Sequence, residues 1–205
     1  YHTEGPYIAY FQSFTNTNAP VARLRALYDE ALALADFPVV IISTRPDALP
    51  EPVLDWLAEL NREREVWVEL GVQSAHDATL KRIRRGHDWQ ASAAAIKALD
   101  RRGIRVAAHL ILGLPGESPD DWRATARQLA QLPVQGVKVH QLMVLKHTEL
   151  AREYHRGAIP VLNEYEYASG LAAVLRELPE GTRLMRLTAE AGDEELIAPR
   201  WWMTK

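Results

Sequence analysis

Five apolar runs, at residues 7–11, 39–43, 66–72, 104–112 and 137–145, set the strongest constraint on what this 205-residue chain can fold into. They begin roughly thirty residues apart, the length of a strand plus its crossover helix. Most are rich in Val, Ile and Leu, as parallel strands covered on both faces must be. Helix signals lie between them. Asn18 ahead of Pro20 predicts a cap for a helix with Val21, Leu24, Leu27, Ala31 and Leu34 on one face. Asp88 predicts the start of a helix that ends at Gly103, and Ser118-Pro119-Asp120-Asp121 the start of another. Asn163-Glu164-Tyr165-Glu166 reads as a variant capping box. The helices near Thr148 and Asn163 have no strand between them, so the repeat loosens there, and a run at 182–187 adds a last strand. Alternating strand and helix means a parallel sheet with helices outside it. An open doubly wound sheet and part of a (β/α) barrel both fit, and in both the ligands meet the carboxyl ends of the strands.

Composition narrows the class. At 47% hydrophobic and 25% charged residues the chain is neither disordered nor fibrous, and no linker divides it, so 1–205 reads as one domain. A net charge of −3 gives no nucleic-acid or membrane-surface signal. No apolar run approaches the ~20 residues of a membrane span. There is no cysteine, which excludes disulfides, a thiolate nucleophile and cysteine-ligated zinc or iron–sulfur clusters within these residues. A cytoplasmic setting is compatible with that count. The chain opens at Tyr1 rather than Met, and a fragment is the expectation.

Polar residues interrupt the strands. Alternation puts Glu69, Gly71 and Gln73 on one face, His109, Ile111 and Gly113 on one face, and Lys138 with His140. If these faces point into a barrel, Glu69, Gln73, His109 and His140 converge. Taken singly, each is equally well a core polar group with a partner; several on successive strands favour a shared cavity. Leu112-Gly113-Leu114-Pro115-Gly116-Glu117-Ser118 leads from strand to helix, and its glycines admit a flat or phosphate-like ligand or simply make a turn. Arg84-Arg85-Gly86-His87 is a cationic turn that on its residues alone reads as a solvated basic cap. Trp56, Trp67, Trp89 and Trp122 fit core packing, whereas Trp201-Trp202 reads as a docking segment or a strand.

An ordered set of segments carries a resemblance. Tyr7-Ile-Ala-Tyr-Phe-Gln-Ser-Phe-Thr-Asn-Thr, Ser43-Thr-Arg-Pro-Asp, Glu69-Leu-Gly-Val-Gln-Ser-Ala-His-Asp, Arg85-Gly-His-Asp and His109-Leu-Ile-Leu-Gly-Leu-Pro-Gly-Glu come first. Val137-Lys-Val-His, Val144-Leu-Lys-His-Thr and Leu196-Ile-Ala-Pro follow. Over nearly its whole length the chain resembles the YhcC-like group of radical S-adenosylmethionine (SAM) proteins. The resemblance implies an α/β fold, a partial (β/α)6 TIM-type barrel of parallel strands with the first βα unit missing. It also implies SAM and a 4Fe–4S cluster that reduces SAM to methionine and a 5′-deoxyadenosyl radical. The cluster's cysteine loop follows the family's first strand, and the run at 7–11 resembles the second, so truncation accounts for the missing ligands.

Matching positions imply cofactor contacts: Gln73 and His109 at the SAM ribose, Arg85 at its carboxylate, Ile111 and Gly113 along the adenine. Ser13 and Thr15 stand where the family's Gly-Gly-Glu motif meets the methionine part, and Ser43 where some relatives place a carboxylate. No catalytic residue and no metal ligand is implied. The substrate is unknown, an electron donor is expected for the full-length protein, no membrane partner is expected, and this chain alone is expected to be inactive. Two other functions fit the residues: a cluster-less, non-enzymatic barrel that binds a ligand or partner, and a metal-dependent hydrolase using Glu69, His109 and His140.

Overall fold

The computed structural model describes residues 6–201. Strands β1 (Ile8–Phe11), β2 (Val39–Thr44), β3 (Glu65–Gln73), β4 (Arg105–Leu112) and β5 (Gly136–Gln141) lie side by side in chain order. After the short β6 (Val144–Leu145), β7 (Arg183–Arg186) joins the far edge beside β5, and all six sheet strands are parallel. The sheet curls into a half-barrel. β8 (Leu196–Ala198) pairs antiparallel with β6 as a separate ribbon.

Helices α1 (Val21–Leu32), α2 (Glu51–Glu63), α3 (Asp77–Arg82), α4 (Trp89–Asp100) and α5 (Pro119–Leu129) connect the first five strands. α6 (Glu149–His155) and α7 (Glu164–Arg176) follow β6 with no strand between them. None of the helices among the described residues is long and apolar enough to cross a membrane.

The alternation of each strand divides its residues between two faces. Val40, Ile42, Val68, Leu70, Leu110 and Val139 point outward and are fully buried under the helices. Burying each such side chain is worth about 1.5–3 kcal/mol relative to leaving it in water. Gly170 lets α7 close on α5, because a Cβ there would stand 2.6 Å from the Trp122 ring. The opposite, concave face carries the polar residues.

Three helix starts follow the sequence reading. The Asp88 carboxylate accepts from Ala91 N at 2.8 Å. Ser118 with Asp121, and Asn163 with Glu166, form reciprocal capping boxes. Other features differ. Asn18 does not cap α1, whose N-cap position is Pro20, and the inward face of α1 is Leu24, Tyr28 and Leu32. Leu27 and Leu34 are exposed, and the buried stripe lies one position further on, with Tyr28 packed edge-on against Trp56 of α2. The run at 137–145 is two strands, since the Gln141 side chain turns to bond both N–H and C=O of Ala189 and ends β5. Trp201 is neither a strand nor a free docking segment. It packs on Tyr167 with ring centroids 5.1 Å apart and donates to Leu162 O at 3.0 Å. Trp202 lies outside the described residues.

Candidate functional site

The concave face holds a cavity of about 240 Å³. The β1–α1 loop lines it with Gln12, Phe14 and Thr15, and the end of β2 with Ser43, Thr44 and Arg45. Glu69, Gly71 and Gln73 come from β3, His109 from β4, Lys138 from β5, and Arg85 from the turn after α3. A larger hollow of about 710 Å³ lies outside the barrel, lined by Asp47, Asp77, Lys81, Arg84, His87 and Asp88 among others. No strand residue lines it, and its charged side chains are exposed or paired, although the His87 Nε2 there is buried without a partner.

The inner wall is built around Glu69. Its Oε2 accepts from Lys138 Nζ at 3.0 Å, Tyr10 OH at 2.5 Å and Ser43 Oγ at 2.6 Å. Lys138 Nζ also donates to Tyr10 OH at 2.6 Å. Both ionic side chains are only 5% exposed, so each charge depends on the other. Burial, reinforced by the bond to Glu69, pushes the Tyr10 phenol far up and keeps it protonated.

At the opposite rim, Arg85 leaves a turn in which Arg84 (φ 53°) and Gly86 (φ 80°) are left-handed. The turn throws Arg84 outward and Arg85 inward, where its Nη2 donates to Gly71 O at 3.1 Å. Gly71 is required there, since a Cβ would lie 2.3 Å from Arg85 Nη2. The register of β3 on β4 slips between Leu70 and Gln73, and Gln73 is itself left-handed at φ 69°, which turns its amide into the cavity.

Three residues of the cavity lining hold a buried atom with no hydrogen-bond partner: Gln73 Oε1, Arg85 Nε and His109 Nε2. Buried polar groups are rarely left so, because each unmade bond costs about 1–3 kcal/mol. The His109 ring stacks at a tilt on His140, centroids 4.7 Å apart. Burial, and then the neighbouring charges, holds both imidazoles below the usual range and therefore neutral near pH 7. His140 Nδ1 lies 2.6 Å from Gln141 O and donates to it, leaving Nε2 as acceptor. Burial, and next Arg45, lowers the Arg85 pKa.

The structure thus brings together Thr15, Ser43, Gln73, Arg85 and His109 of the residues singled out in the sequence. Ser13, Ile111 and Gly113 do not line the cavity. Ser13 is exposed, Gly113 backs onto Leu162, and Ile111 continues the concave face beside His140. Ser43 already donates to Glu69. Arg85 is a cavity residue and not a solvated cap.

Glu69, Gln73 and His109 line one cavity and His140 stacks on His109, yet Glu69, His109 and His140 are not a metal cage. The Glu69 oxygen that faces the wall already has three donors, and among the described residues no cluster of His, Asp and Glu is placed to hold an ion. Sequence reasoning missed Tyr10 and the pairing of Lys138. A lysine flanked by Val137 and Val139 in a buried strand was the available signal, since such a charge must find a carboxylate.

Comparison with known proteins identifies the family. The model of the radical SAM superfamily matches residues 8–129, and that of the Radical_SAM C-terminal domain matches residues 134–205. The uncharacterized protein YtqA of Bacillus subtilis is 42% identical over 202 residues, 98% of this chain and 63% of YtqA. Protein YhcC of Escherichia coli is 37% identical over 196 residues, 95% of this chain and 63% of YhcC. The chain therefore spans 63% of the length of these relatives. Elp3 of Methanocaldococcus infernus superposes with a TM-score of 0.66 at 27% identity, over 73% of this chain and 35% of that one. Coproporphyrinogen III oxidase (HemN) of E. coli, described as a radical SAM enzyme, shares the fold at a TM-score of 0.59 and 19% identity, over 80% of this chain and 38% of HemN. The chain belongs to the radical SAM superfamily.

Proposed function

We propose that the concave cavity is a SAM site and that this chain is the SAM-binding core of a radical SAM enzyme. The observation that carries the reading is that Gln73, Arg85 and His109 line one cavity and each holds a buried polar atom with no protein partner, Gln73 Oε1, Arg85 Nε and His109 Nε2. Their chemistry fits the cofactor. The Arg85 guanidinium grips a carboxylate in a two-pronged bond, and it has no protein carboxylate of its own. The Gln73 amide and the neutral His109 ring offer the mixed donors and acceptors that ribose hydroxyls need. Gly71 keeps the space between Gln73 and Arg85 open, and Thr15 faces the methionine part. SAM, with a reducing 4Fe–4S cluster, supplies a hydrogen-abstracting radical. The protein's task is to hold the cofactor and exclude water.

The Tyr10–Glu69–Lys138 wall keeps its charges paired, so it offers no free base beside the cofactor. Cluster ligands do not come from these 205 residues, which contain no cysteine. Supplied with iron, sulfide, reductant and SAM, the chain alone therefore makes no 5′-deoxyadenosine, and turnover requires those ligands and an electron donor.

Calorimetric titration with SAM tests the site. The chain binds SAM, and Arg85→Gln weakens binding by about 10- to 100-fold, as expected for a charged hydrogen bond. Absence of SAM binding by a folded chain overturns the reading.

A further inference from the structure

The β5–β7 side of the concave face carries a charge that the proposed SAM site does not use, and the inference drawn from it rests on that reading. Val137 pairs with Leu184 while Lys138 pairs with Arg186, so Met185 is the extra residue of a β-bulge. In unbroken register Arg186 would stand opposite Val139 and face the helices. The bulge re-aims it onto the face of Lys138. Arg186 thus stands opposite Lys138, which lines the cavity.

The other cations of this face are accounted for. Lys138 is matched by Glu69, and Arg45 by Asp47. Arg105 and Arg183 each lie 5.5 Å from the centroid of the Trp67 ring. Arg186 is exposed, and no salt bridge among the described residues engages it. Beside it, His109 and His140 present two neutral imidazoles, one with an orphaned Nε2.

We propose that Arg186 anchors the substrate, and that the substrate carries an oxyanion group, a phosphate or carboxylate. A guanidinium is suited to this because its planar fork matches both groups in two parallel bonds. Arg85 lines the cavity and Arg186 stands on β7 opposite Lys138, so one cation serves the cofactor and the other the substrate. A bulge kept in a four-residue edge strand is otherwise a cost to the sheet, since it disrupts the ladder.

Titration of the chain with inorganic pyrophosphate and, separately, with citrate tests this and identifies the oxyanion. One of the two binds, and Arg186→Gln weakens it by about tenfold or more while SAM affinity stays unchanged. Arg183→Gln, which removes a neighbouring cation from the Trp67 stack, leaves anion binding unchanged. Should SAM fail to bind while the anion binds through Arg186, the cofactor reading falls and the anion site stands. Three results overturn the proposal: neither anion binds at millimolar concentration, binding depends on Arg85 and not Arg186, or Arg183→Gln costs as much as Arg186→Gln.

Discussion

Replacing Glu69 by Gln removes the countercharge of an ammonium that is 5% exposed. Breaking a buried pair from one side costs about 3–5 kcal/mol, because the remaining charge is stranded. For a chain of this length each kcal/mol lowers the melting midpoint by about 2–4 °C, so a fall of roughly 6–20 °C is expected. Lys138→Met should cost less. The Glu69 carboxylate keeps two hydroxyl donors, Tyr10 and Ser43, whereas in Glu69→Gln the Lys138 ammonium faces only neutral oxygens, the Tyr10 hydroxyl and the introduced amide. The double replacement Glu69→Leu with Lys138→Met strands no charge, though it leaves the Tyr10 and Ser43 hydroxyls without their acceptor, and should recover part of the loss. Urea unfolding at pH 7, followed by tryptophan fluorescence, reads all three. An effect below about 1 kcal/mol for Glu69→Gln, or strict additivity of the two sites, would show that the pair is not coupled as described.

Gly71→Ala should displace Arg85 and weaken SAM binding by tenfold or more with little change in melting midpoint, because a Cβ meets the flexible end of that side chain at 2.3 Å. Gly170→Ala should destabilise by about 1–3 kcal/mol in the same urea assay, since the added methyl meets the rigid Trp122 ring at 2.6 Å. Asn163→Ala removes the acceptor of two amide bonds at the start of α7 and should cost about 1 kcal/mol; no loss would mean the cap is idle. Stability should also depend on the histidines. His87, His109 and His140 all have folded-state pKa values below 6.5, so the unfolded chain takes up protons first. Stability is then complete above about pH 7 and falls on acidification below 6.5, by up to about 1.4 kcal/mol per pH unit per ring. Urea midpoints from pH 5 to 8 should show it, and His109→Gln with His140→Gln should flatten the curve.

The fold was largely legible because two simple periodicities coincide with it. Val and Ile runs marked the strands, and Asp88, Ser118 and Asn163 marked helix starts through side chains that do one local job. The face of α1 was misread because Leu24, Leu27 and Leu34 satisfy a helical period as well as Leu24, Tyr28 and Leu32 do; only packing against α2 separates them. The site was legible where strand alternation governs it, at Glu69, Gln73 and His109. It was not legible where distant strands meet. Tyr10 and Lys138 lie 128 positions apart, and nothing local to either announces the bond. The bulge at Met185 left no mark either, since no glycine or proline signals it.

Gln73 gives the site an evolutionary vulnerability. A left-handed backbone at a residue with a Cβ costs roughly 1–2 kcal/mol, and glycine adopts it freely. Gln73→Gly is thus an inexpensive route to a hardier protein and, at the same stroke, to one that has lost an amide from its cavity. Laboratory selection for heat tolerance alone would favour that exchange. Selection that also demands the ligand would reject it, so the fate of this position in a mixed population reports which demand the protein is under.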